Sequence, residues 1–315
     1  MKIFINRTPR RNQSWGGGNL FVQAAHDLFS GFGYTVVGSL VDNPDAVLIV
    51  DPRYEDANPS INEIVTYKRS NPRAAVIQRL NECDARKGTS DVDAMLFKCR
   101  KHVDECVFVS HWLCDYLKNS WEAQSLDLTH ARSSDHIIYN GVDKGVFSPA
   151  RGAPRTDKIR IVTHHWSDNA LKGADFTQWL DSYFIPKYRD RFSYTYIGRY
   201  KGTLQNTTHV PPCYGVELAE HLANADVYIS ASRWDPGPNH VIESIACGVP
   251  TYVHTNGGGA KEFAGEDHSF SSEAELERLL LSETFVPNTA VEFTDWRACI
   301  GKFAAIFDEL LSATP

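Results

Sequence analysis

The stretch from Ser230 to Gly265 constrains this chain more than any other. Over its first thirty residues it reads S-A-S-R-W-D-P-G-P-N-H-V-I-E-S-I-A-C-G-V-P-T-Y-V-H-T-N-G-G-G. Asp226 to Ala231 has the composition of a buried parallel strand, and Pro238 suits the first position of a helix. Asn239 to Cys247 reads as that helix, with Gly248 as its stop and Pro250 just beyond; Val249 to His254 gives the next strand. A helix that starts where a strand ends points backbone N–H groups at the carboxyl edge of the sheet, which makes an anion site. Pro236, Gly237 and Pro238 let a ligand approach the backbone, while Asp235 and Glu243 can address different parts of one extended ligand. A nucleotide sugar fits such a site. So, from these residues alone, does an ordinary strand–loop–helix carrying two solvated acids.

With 315 residues the chain can bury a sizeable core and form two compact domains. A net charge of -7 argues against a nucleic-acid partner, which would normally meet a basic surplus. The seven cysteines are scattered, odd in number and without a C-x-x-C pair. That pattern favours reduced thiols in a cytoplasmic protein over a disulfide framework. The start, M-K-I-F-I-N-R-T-P-R, reads as a short strand and not a signal peptide, and no window approaches a membrane span.

Strands are expected at Lys2–Ile5, Tyr34–Val41, Ala46–Val50, Ala74–Leu80, Cys106–Val109 and His136–Tyr139, with helices between them. After the first strand come Trp15-Gly16-Gly17-Gly18-Asn19, where Asn19 is placed to cap a helix over Leu20–Phe29. The polar loop Asn81–Thr89 follows a strand, so Asp84, Arg86 and Lys87 are candidates to meet an acceptor; His111, also just past a strand, is another. Arg151–Asp157 reads as a linker. A second strand series then begins at Ile159–Thr163, followed by His164-His165-Trp166-Ser167-Asp168-Asn169-Ala170-Leu171-Lys172-Gly173. Zinc is rejected at His164, His165 and Asp168, because adjacent histidines on a strand point to opposite faces and no third histidine or cysteine lies at ligand spacing.

Together, D-P-G-P-N-H-V-I-E-S-I-A-C-G-V-P and the later Gly257-Gly258-Gly259 with Glu262 resemble the Glu-x7-Glu and G-G-x-x-E segments of the retaining GT-B glycosyltransferases of family 4. Asp235 stands where that family has its first Glu, one methylene shorter, and Glu243 matches the second. N-G-V-D-K-G-V-F-S-P (Asn140–Pro149) resembles the family's interdomain connection, and Lys172-Gly173 its K-G pair. The arginine that precedes that lysine has no match; Ser167 stands in its place, and Arg199, Arg233, Arg10 or Arg11 are candidate substitutes.

The resemblance implies an α/β, GT-B architecture of two doubly wound Rossmann-like domains facing across a cleft. Residues 1–150 would be the acceptor side, 151–292 the nucleotide-sugar domain, and 293–315 a helix crossing back. It implies a retaining, metal-independent transfer of a sugar from a nucleotide diphosphate donor to an acceptor hydroxyl. Asp235, Lys172 and Gly17 would be catalytic. Gly16, Gly18, His164, His165, Arg199, Gly215, Val216, Arg233, Gly237, Pro238, Asn239, His240 and Glu243 would bind the donor. No cofactor is expected beyond the donor itself, with a UDP-sugar slightly favoured, and the sequence is silent on oligomeric state. Two rival readings stand beside this one. The first is a degenerate GT-B protein that binds nucleotide sugar or a partner enzyme without turnover; the second is an epimerase or dehydrogenase, although G-x-G-x-x-G is absent.

Overall fold

The computed structural model describes residues 1–11, 16–53, 59–126, 135–149, 157–289 and 294–313. The chain divides into two compact units: Met1–Arg11, Gly17–Gly141 and Thr294–Pro315 form the first, Asn12–Gly16 and Val142–Phe293 the second. The expected domain limits at 150/151 and 292/293, most of the expected linker, and Trp15 of the glycine motif lie outside the described residues.

The first unit is built on six parallel strands, β1 (Lys2–Ile5), β2 (Thr35–Val37), β3 (Ala46–Ile49), β4 (Ala75–Leu80), β5 (Glu105–Phe108) and β6 (Asp135–Ile137). They lie in the order β2-β1-β3-β4-β5-β6. β3 and β4 are buried along their whole length, which is why they read as unbroken runs and not as alternating patterns. Helices α1 (Gly17–Leu28), α2 (Ile61–Ser70), α3 (Asp84–Lys87), α4 (Val92–Arg100) and α5 (His111–Ala123) cover the sheet. One face packs Phe21, Ala25 and Phe29 of and beyond α1 against Ile300, Phe303 and Phe307 of the C-terminal helix, Trp296–Ala313. The other face packs Leu96, Phe97 and Trp121 of α4 and α5 over Val47, Val76 and Phe108.

Three local expectations are corrected here. The helix α1 starts at Gly17, so Asn19 lies inside it; its side chain instead brackets Arg10, accepting from Arg10 N–H at 2.8 Å and donating to Arg10 C=O at 2.7 Å. The polar stretch Asn81–Thr89 is not a plain loop but contains α3, closed by Gly88 in the left-handed region. The strand expected over Tyr34–Val41 is only three residues long, because a 3-10 turn at Leu40–Asp42 diverts the chain.

The second unit repeats the plan with β7 (Ile159–His165), β8 (Phe192–Gly198), β9 (Thr208–Val210), β10 (Val227–Ser230), β11 (Thr251–His254) and β12 (Ser269–Phe270). The order is β12-β11-β10-β7-β8-β9, again all parallel. Counting from β7, the chain steps outward to β8 and β9, then returns to the far side of β7 for β10. The place where strand order reverses therefore lies between β7 and β10. Helices are α6 (Ala174–Trp179), α7 (Ile185–Lys187, joined to α6 through a π turn), α8 (Val216–Ala223), α9 (Asn239–Ala246), α10 (Ala260–Ala264) and α11 (Glu273–Leu281). One face of this sheet buries Phe176, Leu180, Phe184, Leu276 and Leu280 against Tyr194, Ile229 and Tyr252.

Candidate functional site

In an open parallel sheet the two connections leaving the reversal point diverge above and below it, and the crevice they leave at the carboxyl edge is where ligands bind. In the second unit β7 ends there with His164 and His165, and β10 ends there with Ser230 before the Asp235 loop and α9.

Lys172 is brought to this point by a tight piece of backbone. Asn169 caps the 3-10 turn Ala170–Lys172, its side chain accepting from Leu171 N–H at 2.9 Å. Gly173 then adopts φ 83°, and a Cβ there would overlap Ala231, with the Ala231 carbonyl oxygen only 2.8 Å away. Only glycine permits this approach. The chain is also tied across, as Arg233 N–H donates to Leu171 C=O at 2.8 Å. The result is an ion pair between Lys172 Nζ and Asp235 Oδ2 at 2.7 Å, with both side chains about nine-tenths buried. Ser232 Oγ donates to the same carboxylate oxygen at 3.2 Å.

The glycine turn after β11 holds the Asp235 loop from the other side. Asp235 N–H donates to Gly257 C=O at 3.2 Å, Gly259 N–H donates to Asp235 C=O at 2.9 Å, and Trp234 N–H donates to Asn256 C=O at 2.8 Å. Gly258 sits at φ 68° and makes a parallel bridge to Asp235. Asp235 is thus fixed at both backbone and side chain.

On α9, Glu243 Oε2 lies 3.0 Å from His164 Nε2, and both residues are buried. His164 Nδ1 is buried and has no hydrogen-bond partner among the described residues. Its backbone is held by Tyr228, whose hydroxyl accepts from His164 N–H at 3.2 Å; burial drives that phenol well above its ordinary value, so it remains protonated. His240, in the first turn of α9, bonds Ser230 Oγ through Nε2 at 2.8 Å, with Nδ1 4.0 Å from Asp235 Oδ2. The rings of His164 and His165 lie 6.1 and 4.7 Å from that of His240. His164 meets Tyr228 and His165 meets Tyr196, so the two adjacent histidines keep to alternate faces of the sheet as expected. They end the strand, and α9 lies over that end, so both rings reach His240. They nevertheless form no metal-binding triad with Asp168 among the described residues.

Two further expectations shift. Pro238 is the cap residue and not the first helical one, its carbonyl accepting from Val241 and Ile242 N–H, and its own side chain makes no cap bond. The Asn239 N–H donates to Gly237 C=O at 3.1 Å, so that amide is engaged within the loop. Ser230 and Ser232, one strand repeat apart, and Tyr228 are the site residues that the sequence reading passed over; the two-residue spacing at the end of β10 was the available signal.

The remaining candidates are spread out. Arg199 follows β8, with its guanidinium 5.8 Å from the Trp166 ring, and Arg233 pairs with Asp175 at 2.5 Å. Ser167 Oγ accepts from Asn169 N–H at 3.2 Å, a local turn contact, and Arg11 pairs with Asp27. Gly215, at φ 63°, precedes α8, and Val216 opens it, largely exposed. Gly16 groups with the second unit, where any Cβ would overlap the Trp166 indole. Gly17 and Gly18 form the first turn of α1 in the first unit, and a Cβ on Gly18 would lie 3.3 Å from Asn81 Nδ2. In the same unit the Asp84 carboxylate accepts from Thr89 Oγ1 and from the Val92 and Asp93 amides, bracing the start of α4. Lys87 pairs with Glu82 at 2.8 Å, Arg86 is buried, and His111 opens α5 against Tyr139. A separate cavity of about 300 Å³, lined by Lys158, Arg189, Tyr194 and Asn206, lies at the opposite, amino edge of β7 and β8. It contains none of the Lys172, Asp235, Glu243 and histidine groups of the β7/β10 site.

The sequence matches no family model, and no curated protein matches it significantly. Solved structures do match. A sucrose-phosphate synthase from Thermosynechococcus elongatus superimposes with a TM-score of 0.71 at 13% identity, covering 99% of this chain and 100% of that one. A glycosyltransferase from Rickettsia africae gives 0.65 at 12%, covering 99% of each chain. An α-glucosyltransferase in complex with UDP gives 0.56 at 12%, covering 98% and 94%. The chain has the two-domain α/β fold of the GT-B class. Among the described residues, no helix is long and apolar enough to cross a membrane.

Proposed function

We propose that this chain is a glycosyltransferase that moves a sugar from a nucleotide diphosphate donor to an acceptor hydroxyl, with retained configuration and without a catalytic metal. The observation that carries this reading is the convergence of Lys172, Asp235, His164, His240 and Glu243 at the β7/β10 reversal point. Such a set offers a cation and polar donors for a diphosphate, and carboxylates for sugar hydroxyls. The fold is that of known sugar transferases, and one similar structure is titled as a complex with UDP, which supports a UDP-sugar. In the step itself the anomeric C–O bond to the diphosphate breaks and a bond to the acceptor oxygen forms, the acceptor proton passing to the leaving phosphate. Lys172 and the start of α9 take up the leaving charge; Asp235 orients the sugar and Glu243 the ribose. The acceptor is assigned to the first unit, with Arg86, Lys87 and His111 as its candidates; Asp84 is occupied in bracing α4.

The test is release of free nucleotide diphosphate from a panel of UDP-, GDP- and ADP-sugars. Release by the wild type that is lost in Glu243→Ala supports the enzyme. A second reading, donor binding without turnover, is favoured by two observations: the Lys172 charge is already matched by Asp235, and Ser167 replaces the expected arginine. Saturable donor binding with no release, across acceptors, would establish that reading instead.

A further inference from the structure

Leading into α8 the chain reads Cys213-Tyr214-Gly215-Val216-Glu217, the helix starting at Val216, and His221 follows four residues after Glu217. Residues four apart on a helix share one face, so Glu217 and His221 present a carboxylate and an imidazole side by side. Cys213 precedes the helix and would ordinarily point elsewhere. Gly215, at φ 63° and ψ −136°, turns the chain so that the thiol folds back beside that face. The three ligand atoms, one sulfur, one oxygen and one nitrogen, all lie within 4.8 Å of one another, the cysteine buried, the histidine half-buried and the glutamate exposed.

Among the described residues no other His, Cys, Asp and Glu side chains gather in this way. We infer that Cys213, Glu217 and His221 form a site for Zn²⁺ or another borderline-soft divalent ion. A thiolate with an imidazole and one carboxylate suits zinc and disfavours Mg²⁺ and Ca²⁺, which take oxygen ligands. Drawing the atoms to about 2.0–2.3 Å from a central ion needs only small rotations of two side chains that are not packed in the core. Three protein ligands leave the fourth position to water on the exposed side.

A cysteine nucleophile activated by histidine is the competing use of these groups, and the surroundings oppose it. Burial pushes the Cys213 thiol up to about 11, and Glu217 pushes in the same direction, whereas a nucleophile needs a cation to bring it down. A bound divalent ion would supply that cation. It would also clamp the Tyr214–Gly215 turn to the second turn of α8, fixing the segment that includes Gly215 and Val216. The inference does not depend on the sugar-transfer reading.

The test is a titration of the full chain with Co²⁺ alone. A near-ultraviolet thiolate-to-cobalt band should saturate at one ion per chain, be displaced by Zn²⁺, and be absent in Cys213→Ser. His221→Ala and Glu217→Gln, both at accessible positions, should weaken Co²⁺ binding about tenfold or more. Zn²⁺ should raise the Tm of the wild type and leave that of Cys213→Ser unmoved. A band that persists in Cys213→Ser, no band at millimolar Co²⁺, or unchanged affinity in both His221→Ala and Glu217→Gln overturns the site. The last comparison decides the matter even if the buried cysteine variant does not fold.

Discussion

Lys172 Nζ and Asp235 Oδ2 meet at 2.7 Å, although 63 residues separate them in the chain. Both side chains are largely buried, so neither charge can be removed alone without leaving the other uncompensated. Lys172→Met should therefore lower the unfolding free energy by about 3 kcal/mol, while the same substitution combined with Asp235→Asn recovers most of that loss. Denaturant unfolding of the two single variants and the double variant measures this coupling. Strictly additive effects would mean that the pair contributes nothing to the fold. Turnover should stay low in all three, because the double variant restores packing and not charge.

Glu243 and His164 form the second buried pair of the site, and His164 Nδ1 is one of several buried polar atoms without a hydrogen-bond partner among the described residues. Glu243→Gln keeps the shape but loses the charge. If this carboxylate holds a ribose hydroxyl, the substitution should weaken nucleotide diphosphate binding by about tenfold, the equivalent of one charge-assisted hydrogen bond. Calorimetry with UDP reads it directly. Equal affinity in wild type and variant would move the ribose away from this helix.

Much of the second unit was legible because its signals are local. The hydrophobic run before Asp235, the proline and glycines after it, and Lys172-Gly173 each declare an element within ten residues. What escaped depends on contacts distant in sequence. Nothing near Lys172 says that its charge meets Asp235, and nothing near His165 says that His240 lies over the end of its strand. Asn19 misled for a different reason. A capping residue after three glycines looks like a helix boundary, since glycine is a poor helix former, yet the helix extends back to Gly17 while the asparagine is occupied by Arg10. Asp84 read as a loop acid facing a ligand, and its oxygens prove to be bonded to the amides that begin α4.

Arg79 on β4 is fully buried in the first unit, lies 4.0 Å over the Phe21 ring, and donates to Asn140 Oδ1 at 2.7 Å. Burial lowers its ordinary value to about 10, a measure of how poorly the site tolerates the charge. Asn140→Ala removes a hydrogen-bond acceptor and should destabilise the protein by about 2 kcal/mol. Arg79→Met, which fills the space without a charge, should be neutral or stabilising and should abolish the effect of Asn140→Ala. Thermal unfolding of the four proteins settles it. A loss in Asn140→Ala that survives in the Arg79→Met background would show that the asparagine acts through other contacts.

Gly141, next in the chain, packs against the start of the C-terminal helix: a Cβ there would lie 2.6 Å from Trp296 Cα and 2.7 Å from its nitrogen. Backbone cannot give way as a flexible side chain can. Gly141→Ala should thus destabilise the first unit by about 2 kcal/mol, through overpacking. The same substitution at Gly33, where nothing lies within 4 Å of a Cβ, tests backbone strain alone because φ is 84°. If Gly141→Ala unfolds at the wild-type denaturant concentration, the contact with the C-terminal helix leaves room for a methyl group.

His254 ends β11 between Phe176 and Phe270, and its Nδ1 accepts from Asn256 N–H at 3.0 Å, at the start of the turn that holds Asp235. Burial, reinforced by Arg233, lowers its pKa below the ordinary 6.5. The neutral ring is thus the folded form, and the unfolded chain binds the extra proton first. Its contribution to stability is complete above pH 6.5 and is lost as the pH falls from there through the folded value. Protonation also removes the acceptor for Asn256 and so loosens the glycine turn. His254→Asn, which cannot titrate, should flatten part of the decline in unfolding free energy between pH 7 and pH 5. Parallel pH profiles for variant and wild type would show that His254 does not carry that decline.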